Sequence, residues 1–194
     1  VIKNGFKVFR GSLNNVLSRF HDCALFYKAK SIIRITGDCP LIDPFIVDEL
    51  INEFEKGDWD YLTNCSDELN LSVPDGFDVE VFKSSGLIKA NKFAKLASEL
   101  EHVTPWLKTK EANLKWSHYV HNPPRKFFRV TLDYMEDFEV IKMIIKNFKT
   151  SNKIFTVDDV VRFLIDNPKI TELNKSFVRN EGFKKSLKED KIIQ

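Results

Sequence analysis

Glycine is scarce in this chain, with seven among 194 residues. No glycine-rich loop with neighbouring basic residues is present that could surround a phosphate with backbone N–H groups. The segment Arg10-Gly11-Ser12 comes nearest to such a loop, and it is too short to be specific. The sequence therefore argues against a phosphate-binding glycine loop.

Cysteine is also scarce, and long apolar runs are absent. Cys23, Cys39 and Cys65 show no metal-ligand spacing, and an odd number without a repeat pattern is typical of reduced thiols in a cytoplasmic protein. No apolar run is long enough to span a membrane, and the first residues lack the layout of a secretory signal. We therefore expect a cytoplasmic protein with no membrane partner.

Neither sign of charge dominates, because 30 basic and 28 acidic side chains leave a net charge of +2. Such a balance does not indicate a nucleic-acid partner. The lysine-rich segment 184–191 is predicted to be a solvated, frayed terminus. We predict one domain over residues 1–174 and a C-terminal tail over 175–194.

The most informative segment of the chain runs from residue 31 to residue 44. A largely β-branched run, Ile32–Thr36, stops at Gly37-Asp38, and a helix is predicted to begin behind Asp43-Pro44. Such a run is typical of a strand buried on both faces of a parallel sheet. Asp38 would then lie at the carboxyl edge of the sheet, where open α/β sheets bind ligands.

Predicted strands and helices alternate along the chain. The predicted strands cover residues 6–9, 32–36, 59–64, 77–82, 114–120 and 127–132. The predicted helices cover residues 12–27, 43–57, 84–97, 98–110, 135–148 and 157–165. This order predicts an α/β fold. The strict alternation of residues 77–82 predicts a strand with one polar face, which carries Asp78 and Glu80.

Asp38 and Asp133 form the sharpest pair of candidate site residues. Each follows an apolar predicted strand, so both carboxylates reach one edge if the strands are parallel in one sheet. Two carboxylates together with substrate phosphates are the usual ligands of Mg²⁺. The alternative is that Asp133 only caps the following helix and Asp38 only stabilises a turn.

Other candidate residues are less specific. Asp78 and Glu80 could bind sugar hydroxyls or an amine, or could simply lie on a solvated strand face. Glu101 and His102 place an acid beside a histidine on a predicted helix, although a lone histidine is more often structural. Cys39 has no evident cationic neighbour and is interpreted as a packing residue.

Several motifs follow one another in the order of a known family. They are Phe9–Ser12 with Asn15–Phe20, Arg34–Pro44, Asp60-Tyr61 with Asn64, Pro74–Phe82, Glu101–Pro105, and Leu132-Asp133 with Glu136–Glu139. Together they resemble the cytidylyltransferases of spore-coat polysaccharide, acylneuraminate and 3-deoxy-manno-octulosonate synthesis. The resemblance extends to about Asn174 and implies that residues 1–174 are a partial nucleotidyltransferase domain.

This resemblance implies both a fold and a reaction. The fold is the three-layer, Rossmann-like α/β fold of the nucleotide-diphosphosugar transferases, with a mixed, mostly parallel sheet. The reaction is attack by a sugar hydroxyl on the α-phosphate of CTP, which gives a CMP-sugar and pyrophosphate with Mg²⁺. The acceptor is a sugar acid or a related sugar of surface polysaccharide biosynthesis, and the enzyme is a homodimer.

The resemblance also implies roles for individual residues. Asp38 and Asp133 match the family's catalytic, metal-binding aspartates, and Tyr134 replaces a small residue and could crowd the metal edge. The residues implied near the nucleotide are Arg10, Gly11, Ser12 and Asp38. The residues implied near the acceptor sugar are Asn64, Asp78, Glu80, Glu101 and His102.

The sequence departs from the family at its front. Family members begin with a strand and a basic, glycine-containing loop that wraps the triphosphate, and nothing before Val1 supplies either. A truncated fold of this kind would lack a central strand and leave apolar surface uncovered. We therefore expect the chain as given to be weakly active or inactive.

Two other functions fit parts of the same sequence. A metal-dependent glycosyltransferase would bind a preformed nucleotide-sugar instead of CTP, although Gly37-Asp38 offers only one of the two close acids usual there. A non-catalytic subunit would instead pair with a copy of itself through residues 65–75 and the strand at 78–82.

Overall fold

The computed structural model describes residues 2–65, 72–121, 128–149 and 154–193. Its strands are β1 (Ser31–Arg34), β2 (Tyr61–Thr63), β3 (Glu80–Lys83) and β4 (Trp116–His118). Its helices are α1 (Val16–Phe26), α2 (Pro44–Gly57), α3 (Ser84–Phe93), α4 (Ala97–His102), α5 (Met135–Phe148), α6 (Val157–Asp166), α7 (Pro168–Thr171) and α8 (Glu181–Lys188). Every helix of the described part is too short to cross a membrane.

The four strands form one sheet in the order β1-β3-β2-β4. β1 and β3 are neighbours although α2 and β2 lie between them in sequence, so the sheet is not a simple succession of hairpins. The α/β fold class predicted from the sequence is therefore confirmed.

The chain forms two compact units. The first unit contains residues 1–32, 82–116 and 182–194. Within it, α1 packs against α3 and α4, with Leu17, Leu87 and Ala90 fully buried.

The C-terminal residues are ordered in the first unit, so the expected frayed terminus is wrong. The Asp190 carboxylate accepts hydrogen bonds from the backbone N–H of Ser98 at 3.0 Å and from its hydroxyl at 2.6 Å. The Lys191 carbonyl accepts another from Ala97 at 3.0 Å, and Ile192 forms an antiparallel bridge with Leu96. The lysine-rich composition did not predict these contacts, because they are made by one carboxylate and by backbone groups.

The second unit contains residues 33–81 and 117–181 and has the larger apolar core. The core residues from its helices are Ile46, Leu50, Phe54, Val140, Ile141, Ile144, Val157, Val160 and Leu164. They pack around Leu62, Phe77 and Val79, which are almost fully buried. This packing holds the segments that carry the candidate site.

In the second unit, one carboxylate accepts hydrogen bonds from the N-termini of two helices. Asp43 accepts a hydrogen bond from Phe45 at 2.8 Å and caps α2, whose first residue is Pro44, as the sequence predicts. Its other oxygen accepts a hydrogen bond from Val157, the first residue of α6, at 2.8 Å. Thr156 and Asp159 complete a capping box on α6.

Two strand predictions are wrong in detail. Residues 6–9 form no regular structure, and residues 128–132 are extended with a single bridge, whereas residue 127 lies outside the described residues. β1 is not buried on both faces, because Ile33 remains 46% exposed. Alternating burial along β1 shows that one of its faces is only partly covered.

Candidate active site

The extended segment 128–132 brings Asp38 close to Asp133. The Asp38 carbonyl accepts hydrogen bonds from the backbone N–H of Leu132 at 2.8 Å and from the Thr131 hydroxyl at 3.2 Å. Because Asp133 directly follows Leu132, the backbone segments that carry the two predicted metal ligands lie side by side. They come from parts of the chain 95 residues apart.

The Asp75-Gly76 turn contacts the same extended segment. Asp75 donates its backbone N–H to Phe128 at 3.0 Å and accepts from Val130 at 2.7 Å. Gly76 has a φ of +111°, and a Cβ atom there would lie 2.6 Å from the carbonyl carbon of Val130. Only glycine allows this close approach.

Arg129 connects three carboxylates in this region. Its Nε and Nη2 donate to the two oxygens of Asp137, each at 2.9 Å. Nη2 also donates to Oδ2 of Asp133 at 2.7 Å, and Nη1 donates to Asp75 at 3.1 Å. Burial by itself lowers the pKa of Arg129, but the hydrogen bonds to Asp137 and Asp133 outweigh it and raise the pKa. The guanidinium therefore remains charged.

The carboxylate that accepts hydrogen bonds from the backbone N–H groups at the start of α5 belongs to Asp137, not to Asp133. It accepts hydrogen bonds from the backbone N–H groups of Asp133 and Tyr134, each at 3.1 Å, and from Asn174 at 2.8 Å. Burial raises the pKa of Asp137, but the hydrogen bonds from Arg129 and Asn174 prevail and lower it. The alternative in which Asp133 only caps this helix is therefore wrong.

Arg179 holds the other end of the Asp75 turn. Its Nη1 donates to the Val73 carbonyl at 3.1 Å, its Nη2 pairs with Asp78, and its Nε lies 3.7 Å from Asp75. Sequence analysis missed Arg129, Asn174 and Arg179, because nothing local distinguishes them from other polar residues. Arg179 even lies in the predicted tail.

Aspartates crowd this edge of the second unit, which affects their protonation. Burial raises the pKa of Asp75, and the nearby charges of Asp133 and Asp38 raise it further, against the opposing effect of Arg179 and Arg129. Burial also raises the pKa of Asp78 to about 6, again against Arg179. The two guanidinium groups therefore offset only part of the negative charge at this edge.

Two residues predicted near the sugar are engaged in the framework of the second unit. Glu80 is buried, accepts a hydrogen bond from the Tyr61 hydroxyl at 2.7 Å and pairs with Arg34, so the expected solvated polar face is wrong there. Asn64 donates to the Phe77 carbonyl at 3.0 Å and accepts from Val79 at 2.7 Å. Their roles toward a sugar remain predictions.

The remaining predicted site residues lie in the first unit. Arg10, Gly11 and Ser12 are exposed, and the Ser12 hydroxyl accepts a hydrogen bond from Asn15 at 3.0 Å. His102 Nε2 lies 3.0 Å from the Ser186 hydroxyl, which donates to Glu101 at 3.2 Å. Their roles toward nucleotide and sugar also remain predictions.

Tyr134 stacks on an aromatic neighbour beside Arg129. Its ring is stacked on Phe177 with centroids 4.1 Å apart, and its hydroxyl donates to Glu181 at 2.9 Å. The Arg129 guanidinium carbon lies 5.8 Å from the centroid of each of these two rings. The expectation that Tyr134 crowds the metal edge remains a prediction.

The two predicted metal ligands fit a magnesium ion by their chemistry. Asp38 and Asp133 offer hard carboxylate oxygens, and Oδ1 of Asp133 accepts no hydrogen bond among the described residues. The described residues include no cluster of three or more acidic, histidine or cysteine side chains that could bind a metal by itself. Mg²⁺ keeps several waters and also binds substrate phosphates, so two protein carboxylates suffice.

Comparison with known proteins places this fold in one class. Residues 2–181 match the family described as Cytidylyltransferase. A cytidylyltransferase structure from Leptospira borgpetersenii serovar Hardjo-bovis superposes with a TM-score of 0.82 at 34% identity, covering 91% of this chain and 73% of that one. The fold is thus the Rossmann-like fold of a nucleotidyltransferase.

Sequence relatives agree with the structural match. An uncharacterized protein of Methanocaldococcus jannaschii is 34% identical over 93% of this chain and 71% of its own length. The spore coat polysaccharide biosynthesis protein SpsF of Bacillus subtilis is 36% identical over 74% of this chain and 58% of its own length. The chain belongs to the cytidylyltransferase family, which confirms the resemblance found in the sequence.

Proposed function

We propose that this protein transfers CMP from CTP to a sugar acid or a related sugar, with Mg²⁺. The pairing of the Asp38 backbone with the segment that ends in Asp133 carries the proposal, because the backbones of two residues with hard-oxygen side chains lie side by side. Family membership supports CTP as the donor. The name of the Bacillus subtilis relative supports a sugar acceptor in surface polysaccharide synthesis.

Each group has a distinct part in this proposal. A sugar hydroxyl oxygen forms the new bond to the α-phosphorus and releases its proton to solvent. The bond from the α-phosphorus to the oxygen that bridges to the β-phosphate breaks, and pyrophosphate leaves. Asp38 and Asp133 would bind Mg²⁺, which supplies neutralisation of the charge on the triphosphate.

Metal-dependent binding of CTP tests the proposal without requiring turnover. Titration calorimetry with CTP is expected to show binding that requires Mg²⁺ and is lost in Asp38→Asn and Asp133→Asn. The exposed Asp48→Asn is a matched control that should bind normally. Equal binding with and without Mg²⁺, or unchanged binding in both site variants, would contradict the proposal.

A pyrophosphate-release assay with several acidic sugars then tests the reaction. Pyrophosphate release is expected only when CTP, an accepted sugar and Mg²⁺ are all present. Release that does not depend on the sugar would contradict the proposal. A homodimer in the cytoplasm completes the proposal, and six residues of the predicted pairing segment 65–75 lie outside the described residues.

A further inference from the structure

Arg129 is held by hydrogen bonds to three carboxylates. It donates to Asp75, Asp133 and Asp137. Its guanidinium carbon also lies 5.8 Å from the ring centroids of Tyr134 and Phe177. Only 10% of the arginine side chain is exposed, whereas 46% of the Asp133 side chain is exposed. A rigid donor is therefore bonded to a carboxylate that has few other contacts.

We propose that Arg129 is a positioning residue that fixes the carboxylate of Asp133 for a divalent cation. The inference rests on the proposed function, since that function assigns the cation to Asp38 and Asp133. Arg129 donates to one oxygen of Asp133, Oδ2. This bond fixes the orientation of the carboxylate, while its other oxygen, Oδ1, accepts no hydrogen bond from the described residues. Asp133 Oδ1 would then meet the cation without having to lose rotational freedom first.

The planar guanidinium suits this role better than an ammonium group. It makes a two-point contact with Asp137, which sets the orientation of the plane, and the remaining donors then point at Asp133 and Asp75. A lysine would keep the charge but lose this fixed fork. Hydrogen-bonding partners of metal-binding carboxylates typically change metal affinity by about 10- to 100-fold when removed.

A simple electrostatic role makes the opposite prediction. If Arg129 acted only as a positive charge beside the site, its removal would strengthen cation binding, because one competing charge disappears. If it positions Asp133, its removal weakens cation binding. The direction of the change therefore separates the two roles.

The experiment measures Mn²⁺ binding to the full chain by electron paramagnetic resonance, without nucleotide. Arg129→Ala is expected to bind Mn²⁺ about 10- to 100-fold more weakly than the unmodified protein. Arg129→Lys is also expected to bind Mn²⁺ weakly, although its charge is unchanged. This variant replaces the alanine variant in the test if the alanine variant fails to fold. Binding equal to or tighter than that of the unmodified protein in the folded variants would overturn the proposal.

Chemical rescue distinguishes positioning from a general loss of structure. Arg129 and Arg179 line a cavity of about 290 Å³, so a small cation can reach the space left by the alanine substitution. Guanidinium at low concentration is expected to restore Mn²⁺ binding in Arg129→Ala, whereas methylammonium at the same ionic strength should not. Equal effects of the two cations would overturn the positioning role.

Three further variants complete the design. Lys142→Gln removes an exposed ion pair with Glu139 on α5 and should leave Mn²⁺ binding unchanged. Asp38→Asn and Asp133→Asn should abolish it. If those two variants bind normally, the proposed metal site is wrong, whereas normal binding by Arg129→Ala alone refutes only the positioning role.

Discussion

At the scale of single residues, the buried carboxylate of Asp78 makes the stability of the protein depend on pH. Burial raises its pKa from 3.8 to about 6 despite the pairing with Arg179. Between about pH 4 and pH 6 the folded state therefore holds a proton that the unfolded state releases. The free energy of unfolding contributed by this group falls as pH rises through that interval, by up to about 3 kcal/mol.

Urea unfolding at a series of pH values checks this prediction. Asp78→Asn is expected to remove much of the downward slope between about pH 4 and pH 6. The exposed Asp48→Asn should keep the slope of the unmodified protein. A slope in Asp78→Asn that matches the unmodified protein would contradict the assignment.

The pair formed by Glu80 and Arg34 gives a second prediction at the residue scale. Both side chains are less than one fifth exposed, so removing one charge leaves the other buried without a counter-charge. Glu80→Gln is expected to lower the free energy of unfolding by about 3–5 kcal/mol. Chemical denaturation measures this change.

Tyr61→Phe supplies the matched control for Glu80. It removes the hydrogen bond from the tyrosine hydroxyl at 2.7 Å but leaves the ion pair in place. Its expected effect is about 1 kcal/mol. If Glu80→Gln is no more destabilising than Tyr61→Phe, the ion pair contributes little to the fold, and the carboxylate is more readily available to a substrate.

At the scale of secondary-structure elements, Asp43 stabilises the N-termini of α2 and α6 together. Asp43→Ala removes acceptors from both helices and is expected to lower the free energy of unfolding by about 2–4 kcal/mol, twice the usual effect of one cap. Thermal or chemical unfolding measures the change. Thr156→Val removes only the local cap of α6 and should lower it by about 1 kcal/mol. Equal effects of both substitutions would contradict the shared role.

Helices with strong local signals were predicted well. α5 has the predicted bounds, Met135–Phe148, because its apolar spacing continues without interruption, and Thr156 caps α6 as expected. Strands were predicted less well, because an extended segment such as 128–132 becomes a strand only if partners pair along its length. Sequence patterns do not contain that pairing.

The candidate site was predicted only in part. Asp38 and Asp133 were found because each follows an apolar run, and the structure pairs their segments. Arg129, Asn174 and Arg179 were missed. Asn174 contacts a residue 37 positions away, and Arg179 contacts one 106 positions away. Arg129 has local partners but also binds Asp75, which is 54 positions away. Such contacts depend on the folded chain and leave no local pattern.

At the scale of the whole molecule, the family resemblance predicts a homodimer. Several large apolar side chains are at least two thirds exposed, among them Phe6, Phe26 and Met135. Exposed apolar surface of this kind is often covered by association. Light scattering is expected to give twice the chain mass of 22.6 kDa. A mass equal to one chain across the accessible concentrations would contradict the prediction.

The carboxylate that joins the starts of α2 and α6 also bears on the order of folding. Its two hydrogen-bond donors, Phe45 and Val157, lie on either side of a loop of more than a hundred residues. Closing so long a loop is slow and entropically unfavourable, so contacts of this separation form late. α2 can acquire its cap during the synthesis of its own segment, whereas α6 acquires this bond only after the intervening chain has collapsed around the core.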